Sequence, residues 1–141
     1  MVDWDTLKAD LMRDEGMRLK PYTDTVGKMT IGVGRNLDDL GITESEADYL
    51  LENDIGRTRI ELDKVIPWWR DLPDAPGRAL VNMCFNLGWP RLSKFKNMLA
   101  SLRAGDFDAA AGHALDSRWA SQVGPRATRI ADLIRKGTGD G

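Results

Sequence analysis

Apolar residues recur at helical spacing through most of the chain, and the breaks in that rhythm divide it. Trp4, Leu7, Leu11 and Met12 fall on one face of a first helix and predict one buried side. Asp3 stands ahead of it as an N-cap, Asp5 suits the positive helix start, and Val2 and Leu7 occupy the two positions of a hydrophobic staple. Gly16 is a C-terminal stop, which leaves Glu15 in the last turn. The period then shortens. Residues 19–23 and 29–33 predict two short strands joined by 24–28, and 35–41 predict a polar loop. Gly32 and Gly34 weaken the second strand but permit close approach by a neighbour or ligand.

Helical spacing resumes after a capping box, Thr43 to Glu46. Ala47, Leu50, Leu51, Ile55, Ile60, Leu62 and Val65 predict a long amphipathic connector over 44–65, ended by Pro67. Beyond a short link, Asp74 is expected to cap a helix carrying Ala79, Leu80, Met83, Cys84 and Leu87, with Gly88 as its stop. One helix from Leu92 to Leu102, a shorter one from the cap Asp106 to Leu115, and a last one from Pro125 to Lys136 complete the set. That last helix is expected to turn Ile130, Leu133 and Ile134 inward and its basic residues outward. The architecture these elements predict is α+β and mainly helical. It is one domain, 1–141, with a small hairpin lobe (about 14–42), the connecting helix (about 44–65), and a helical lobe (about 68–137) that takes in the N-terminal helix.

Composition narrows the classes. With 141 residues the chain can bury about two-thirds of its unfolded surface in one domain. No run approaches the roughly 20 apolar residues of a membrane span, so no membrane anchor is expected. Met1 to Asp5 lack the basic start of a secretory signal, which predicts residence in a cytoplasm until something else releases the protein. A net charge of −2 argues against a general nucleic-acid binder. A single cysteine, Cys84, excludes an internal disulfide and a cysteine-built zinc site, and a single histidine, His113, leaves little for any other metal. Cys84 has the sequence context of a small buried hydrophobe.

Chemistry concentrates at the helix-to-hairpin corner. Glu15, Asp24 and Thr30 bring two carboxylates and a hydroxyl together within 16 residues. A carboxylate at the negative end of a helix is a poor choice for stability alone. Glu15, expected to be partly buried, suits a proton donor, because burial raises a carboxyl pKa. Asp24 on an exposed turn suits the ionised partner, and Thr30 can hold a water between them. Two such carboxyls are what glycoside hydrolysis requires. In a chain with 22 acidic residues the pair also fits ordinary turn chemistry, so the residues alone extend only to a carboxylate-based hydrolase.

The corner nevertheless carries a specific pattern. Asp14-Glu15-Gly16, residues 19–24, Gly27, and Thr30-Ile31-Gly32-Val33-Gly34 resemble the signature of the phage lysozymes of the T4 type: Glu, eight residues, Asp, five residues, Thr. Residues 79–88 resemble that family's central helix, and 117–119 with 125–129 its closing segment. After Gly34 the chain is shorter than the T4 protein and reaches its connecting helix sooner. The resemblance implies a lysozyme-like fold and a muramidase cutting the β-1,4 bond between N-acetylmuramic acid and N-acetylglucosamine in peptidoglycan. Glu15 would be the general acid, Asp24 the carboxylate that activates water, and Thr30 the residue that positions it, with no metal or cofactor. It further implies substrate contacts at Phe85 and at His113, the latter where the family has an asparagine. Met98 stands for a family serine, Arg35 for a histidine and Asn36 for a leucine. Arg126 would lie near Glu15 and Arg129 near Asp14 as charge partners. The role implied is that of a monomeric endolysin that a separate holin releases onto the wall. A lytic transglycosylase needs the acid but neither Asp24 nor Thr30, and a non-catalytic wall-binding module needs none of the three.

Overall fold

Asp3 caps the first helix as expected, its Oδ1 accepting from the N–H groups of Asp5 and Thr6, both at 3.1 Å. Helix α1 runs Trp4–Glu15 and ends at Gly16, whose N–H donates to the Met12 carbonyl at 2.9 Å. The predicted buried face is not formed: no residue of α1 is buried, and Trp4 is 70% exposed. The cause is the small size of the unit to which the helix belongs. The computed structural model, which describes residues 1–139, divides into two compact units, Met1–Tyr49 and a second from Leu50 onward. In the first unit the only buried residue is Thr30. Its sheet is too small to cover four large side chains. Helix α1 is part of this unit, joined to the first strand by only Gly16 and Met17.

Strands β1 (Arg18–Thr23), β2 (Met29–Gly32) and β3 (Arg35–Asn36) form an antiparallel sheet in that order. Strand β3 stands where a polar loop was predicted. Two residues carry no periodicity, but the free edge of β2 needs a partner for its backbone groups. Asn36 pairs with Thr30 and Arg35 with Ile31, and the Leu37 N–H adds a 2.8 Å bond to the Met29 carbonyl. On the other side Thr30 pairs with Tyr22.

Helix α2 spans Glu44–Val65 and opens on the predicted capping box: the Thr43 N–H donates to Glu46 Oε1 at 2.9 Å, and the Glu46 N–H to Thr43 Oγ1 at 3.1 Å. Of its apolar residues only Leu62 is buried, whereas Ile60 is 57% exposed. The helical unit's core closes over its last turns alone. There Asp63 accepts from Trp69 Nε1 at 2.9 Å and from Arg70 Nε at 2.7 Å, fastening the short 3-10 segment Pro67–Asp71.

Helix α3, Asp74–Leu87, buries the predicted face of Ala79, Leu80, Met83, Cys84 and Leu87. Asp74 is not its cap. Pro73 is, and Asp74 stands in the first turn accepting from Arg78 Nε at 2.9 Å. The helix can begin that early because the missing N–H of Pro76 is no loss in a first turn. The single helix expected after Gly88 is two, α4 (Trp89–Leu92) and α5 (Lys96–Ala104). At the break Ser93 Oγ donates back to the Pro90 carbonyl at 2.8 Å, a local bond that competes with helix continuation. Phe95 there meets Trp119 edge-on, with ring centroids 6.2 Å apart. Helices α6 (Phe107–Leu115, capped by Asp106), α7 (Arg118–Val123, capped by Ser117) and α8 (Pro125–Arg135) complete the unit.

The core lies between α8, α6, α5 and α3, with Leu80, Met83, Leu92, Met98, Leu102, Ile130 and Ile134 all at 1% exposure or less. On α8, Ile130 and Ile134 are buried as predicted, joined by Ala127 and Ala131, while Leu133 is only half-buried. Cys84 lies in this core, and burial, with the charge of Glu61, pushes its thiol up to about 11. It is therefore a packing residue with almost no thiolate at neutral pH. Beyond α8, Gly137 sits where a Cβ would lie 2.6 Å from Pro76 Cγ and 2.7 Å from Phe107 Cδ2. Both neighbours are buried and have little room to move. Gly137→Ala is expected to lower stability by about 1–3 kcal/mol, the usual scale of overpacking, which urea unfolding of the two proteins would read directly.

Candidate active site

Glu15 is the last residue of α1, held there by the glycine stop that comes next. It is exposed rather than partly buried, which corrects the sequence expectation, because the first unit has no apolar interior to enclose it. Its carboxylate lies alongside Gly34, at the far end of the Thr30–Gly34 run. Asp24 is half-buried in the β1–β2 turn, and its Oδ1 accepts from the N–H groups of Val26 at 3.0 Å and Lys28 at 2.8 Å. Thr30, at 3% exposure, donates its hydroxyl proton to the Lys28 carbonyl at 3.0 Å. That same carbonyl accepts the Asp24 N–H at 2.9 Å. The backbone of Lys28 therefore locks Asp24 and Thr30 into one frame. Among the described residues Asp24 Oδ2 makes no hydrogen bond within this unit.

A polar brace supports the frame from the loop after β3. Asp38 Oδ2 accepts the Met29 N–H at 2.8 Å, and Arg35 grips Glu46 with two bonds of 2.8 Å while a third reaches the Gly41 carbonyl at 3.1 Å. The Arg35 guanidinium, with the Thr43 N–H, holds the Glu46 carboxyl down at about 2 instead of the ordinary 4.5. A depressed carboxyl stabilises the folded state fully above its unfolded value and loses that contribution as pH falls toward the folded one. The first unit is therefore expected to weaken between about pH 4.5 and 2. Glu46→Gln should be less stable than the parent at neutral pH and should lose less on acidification, as followed by circular dichroism across that range.

The other predicted residues lie in the second unit. Phe85 projects from α3 at 43% exposure, so it is not core packing. It lines an apolar groove of about 650 Å³ with Leu51, Ile55, Trp69, Val81 and Arg126. Arg126 is held there by Asn82, whose Oδ1 accepts from Nε at 3.0 Å and Nη2 at 2.7 Å. Arg129 is exposed on α8, and Asp14 accepts from its neighbour Arg13 at 3.2 Å. His113, exposed on α6, lines a different groove of similar size with Arg91, Lys94, Lys96 and Arg118. Phe85 and Arg126 thus share one groove and His113 belongs to another. Among the described residues no three His, Cys, Asp or Glu side chains converge to hold a metal ion, and no helix is long and apolar enough to cross a membrane.

Sequence reasoning missed the Lys28 backbone, Asp38 and the Arg35–Glu46 clasp. The first acts through main-chain atoms and leaves no side-chain signal. The clasp had one: Glu46 was already placed by the capping box, with a cation left over on the preceding loop.

The phage lysozyme family model matches residues 12–136. Over 90% of its length the chain is 33% identical to the pre-baseplate central spike protein Gp5 of Enterobacteria phage T4, of which it spans only 27%. It is 29% identical to probable T4-type lysozyme 2 of Dictyostelium discoideum, with 94% of this chain and 95% of that protein covered. An endolysin of Acyrthosiphon pisum secondary endosymbiont phage 1 is 28% identical, with 89% of this chain and 86% of the relative covered. The family pattern extends from the last turns of α1 to the end of α8, across both units: the chain belongs to the phage lysozyme family.

Proposed function

We propose that the protein is a peptidoglycan-degrading endolysin that hydrolyses the β-1,4 bond between N-acetylmuramic acid and N-acetylglucosamine. The observation that carries this reading is the locked pair Asp24 and Thr30, standing in one unit with an exposed Glu15, in a chain of this family. Thr30 has committed its proton to Lys28, so toward a water it acts as an acceptor. Asp24 Oδ1 is occupied by two N–H groups, which leaves Oδ2 as the basic atom. A water donating one proton to each presents its lone pair to the anomeric carbon. Asp24 takes a proton as the new C–O bond forms, and Glu15 gives its own to the departing glycosidic oxygen.

In the second unit the Phe85 groove offers an apolar face for a sugar ring. The His113 groove, lined by four cations against the one carboxylate of Asp116, suits anionic groups such as the carboxylates of peptide stems. The enzyme acts as a monomer, and release from the host cytoplasm to the wall falls to a separate holin.

The test is incubation with purified peptidoglycan and with outer-membrane-permeabilised cells. Falling turbidity together with new reducing ends is the expected result. Binding to the wall with no reducing ends would assign a binding module instead. Expressed inside a bacterium, the protein is expected to lyse the culture only when a holin is co-expressed.

A further inference from the structure

We infer that Gly34 is a positioning residue for Glu15: its bare backbone is the surface against which the carboxylate is set, an inference that rests on the acid role proposed for Glu15. A Cβ on Gly34 would stand 3.1 Å from Glu15 Oε2, 3.4 Å from Cδ and 3.5 Å from Cγ. The contact therefore runs along the whole end of the side chain. Among the described residues Glu15 makes no hydrogen bond or ion pair within its own unit. An exposed glutamate without such partners exchanges rotamers on the picosecond-to-nanosecond scale. The backbone at Gly34 removes part of that freedom on one side.

Backbone conformation alone does not account for this glycine. Gly34 has φ +71, in the left-handed region, but so does Gly32 two residues earlier, with φ +68. A Cβ at Gly32 would meet nothing within 4 Å. The two glycines share a conformational demand, and only the second carries a steric one. The pair is a matched control built into one strand end.

Gly34→Ala and Gly32→Ala should both lose stability through the positive φ. Only Gly34→Ala should also push the Glu15 carboxyl aside by a few tenths of an ångström or more. The expected result on peptidoglycan is a fall in kcat for Gly34→Ala of roughly 10 to 10² relative to Gly32→Ala, with KM unchanged, since misplacement of a reacting group is felt in the transition state. A second readout needs no activity. The Glu15 carboxyl carbon resonance should move in Gly34→Ala and stay in place in Gly32→Ala, while the two variants lose similar Tm, because an exposed side chain can yield by that distance. Should the alanine variants fail to fold, Gly34→Asn against Gly32→Asn repeats the comparison with a residue that tolerates the left-handed region. Equal kcat and an unmoved Glu15 resonance in the Gly34 variant would overturn the inference. If the parent protein releases no reducing ends, the hydrolase reading fails by itself, and the resonance comparison still decides whether Gly34 sets the Glu15 side chain.

Discussion

Glu15→Gln is expected to lower reducing-end release from peptidoglycan by about 10²–10⁴, the range supplied by a positioned general acid. The amide has nearly the same shape and can still lie along Gly34, so binding to the wall should persist. Stability should not fall. Glu15 closes α1 at the negative end of the helix, where a charge is disfavoured, and it has no hydrogen-bond partner in its own unit to lose. A Tm equal to or slightly above that of the parent, together with lost catalysis and retained sedimentation with peptidoglycan, would separate a chemical role from a structural one. Clearing of permeabilised cells at the parental rate would remove Glu15 from the reaction.

The second large effect is thermodynamic. Ile130→Ala is expected to destabilise the helical unit by about 2–5 kcal/mol, the range for truncating a buried isoleucine. Ile130 is 1% exposed on α8, and α8 packs on α6 and α3, so the space left behind is walled by regular helices that cannot easily collapse into it. Thr128→Ala, an exposed change on the same helix, should move stability by no more than about 0.5 kcal/mol. Denaturant unfolding of the three proteins would check the contrast. Similar midpoints for all three would mean that α8 does not form the core described.

What the sequence made legible was whatever acts locally. The caps Asp3, Thr43 and Asp106 and the glycine stops Gly16 and Gly88 each work within a few residues of chain, and each stands where its local chemistry placed it. Burial was less legible, because it depends on what an apolar face meets. Trp4, Leu7, Leu11 and Met12 have helical spacing, yet the first unit contains nothing broad enough to cover them. The same holds for Ile60 on α2, while Leu62 two residues later reaches the core. The two-residue β3 and the break at Ser93 leave no periodic trace at all.

The candidate site divides along the same line. Residue types and spacing singled out Glu15, Asp24 and Thr30, because proton chemistry demands those side chains. What fixes them in place is mostly backbone: the N–H and carbonyl of Lys28, and the missing side chain of Gly34. A glycine in a strand signalled that something approaches closely. It took the fold to show that the approaching group is the Glu15 carboxylate at Gly34, and that a side chain at Gly32 would meet open space.

The central claim is that Asp24 and Thr30 direct a water to the bond that Glu15 breaks, and the configuration of the first-formed products, read by proton NMR, tests it most directly. Direct attack of that water on the β-1,4 bond predicts reducing N-acetylmuramic acid ends released as the α anomer. Release as the β anomer, or products ending in the anhydro ring, would contradict it.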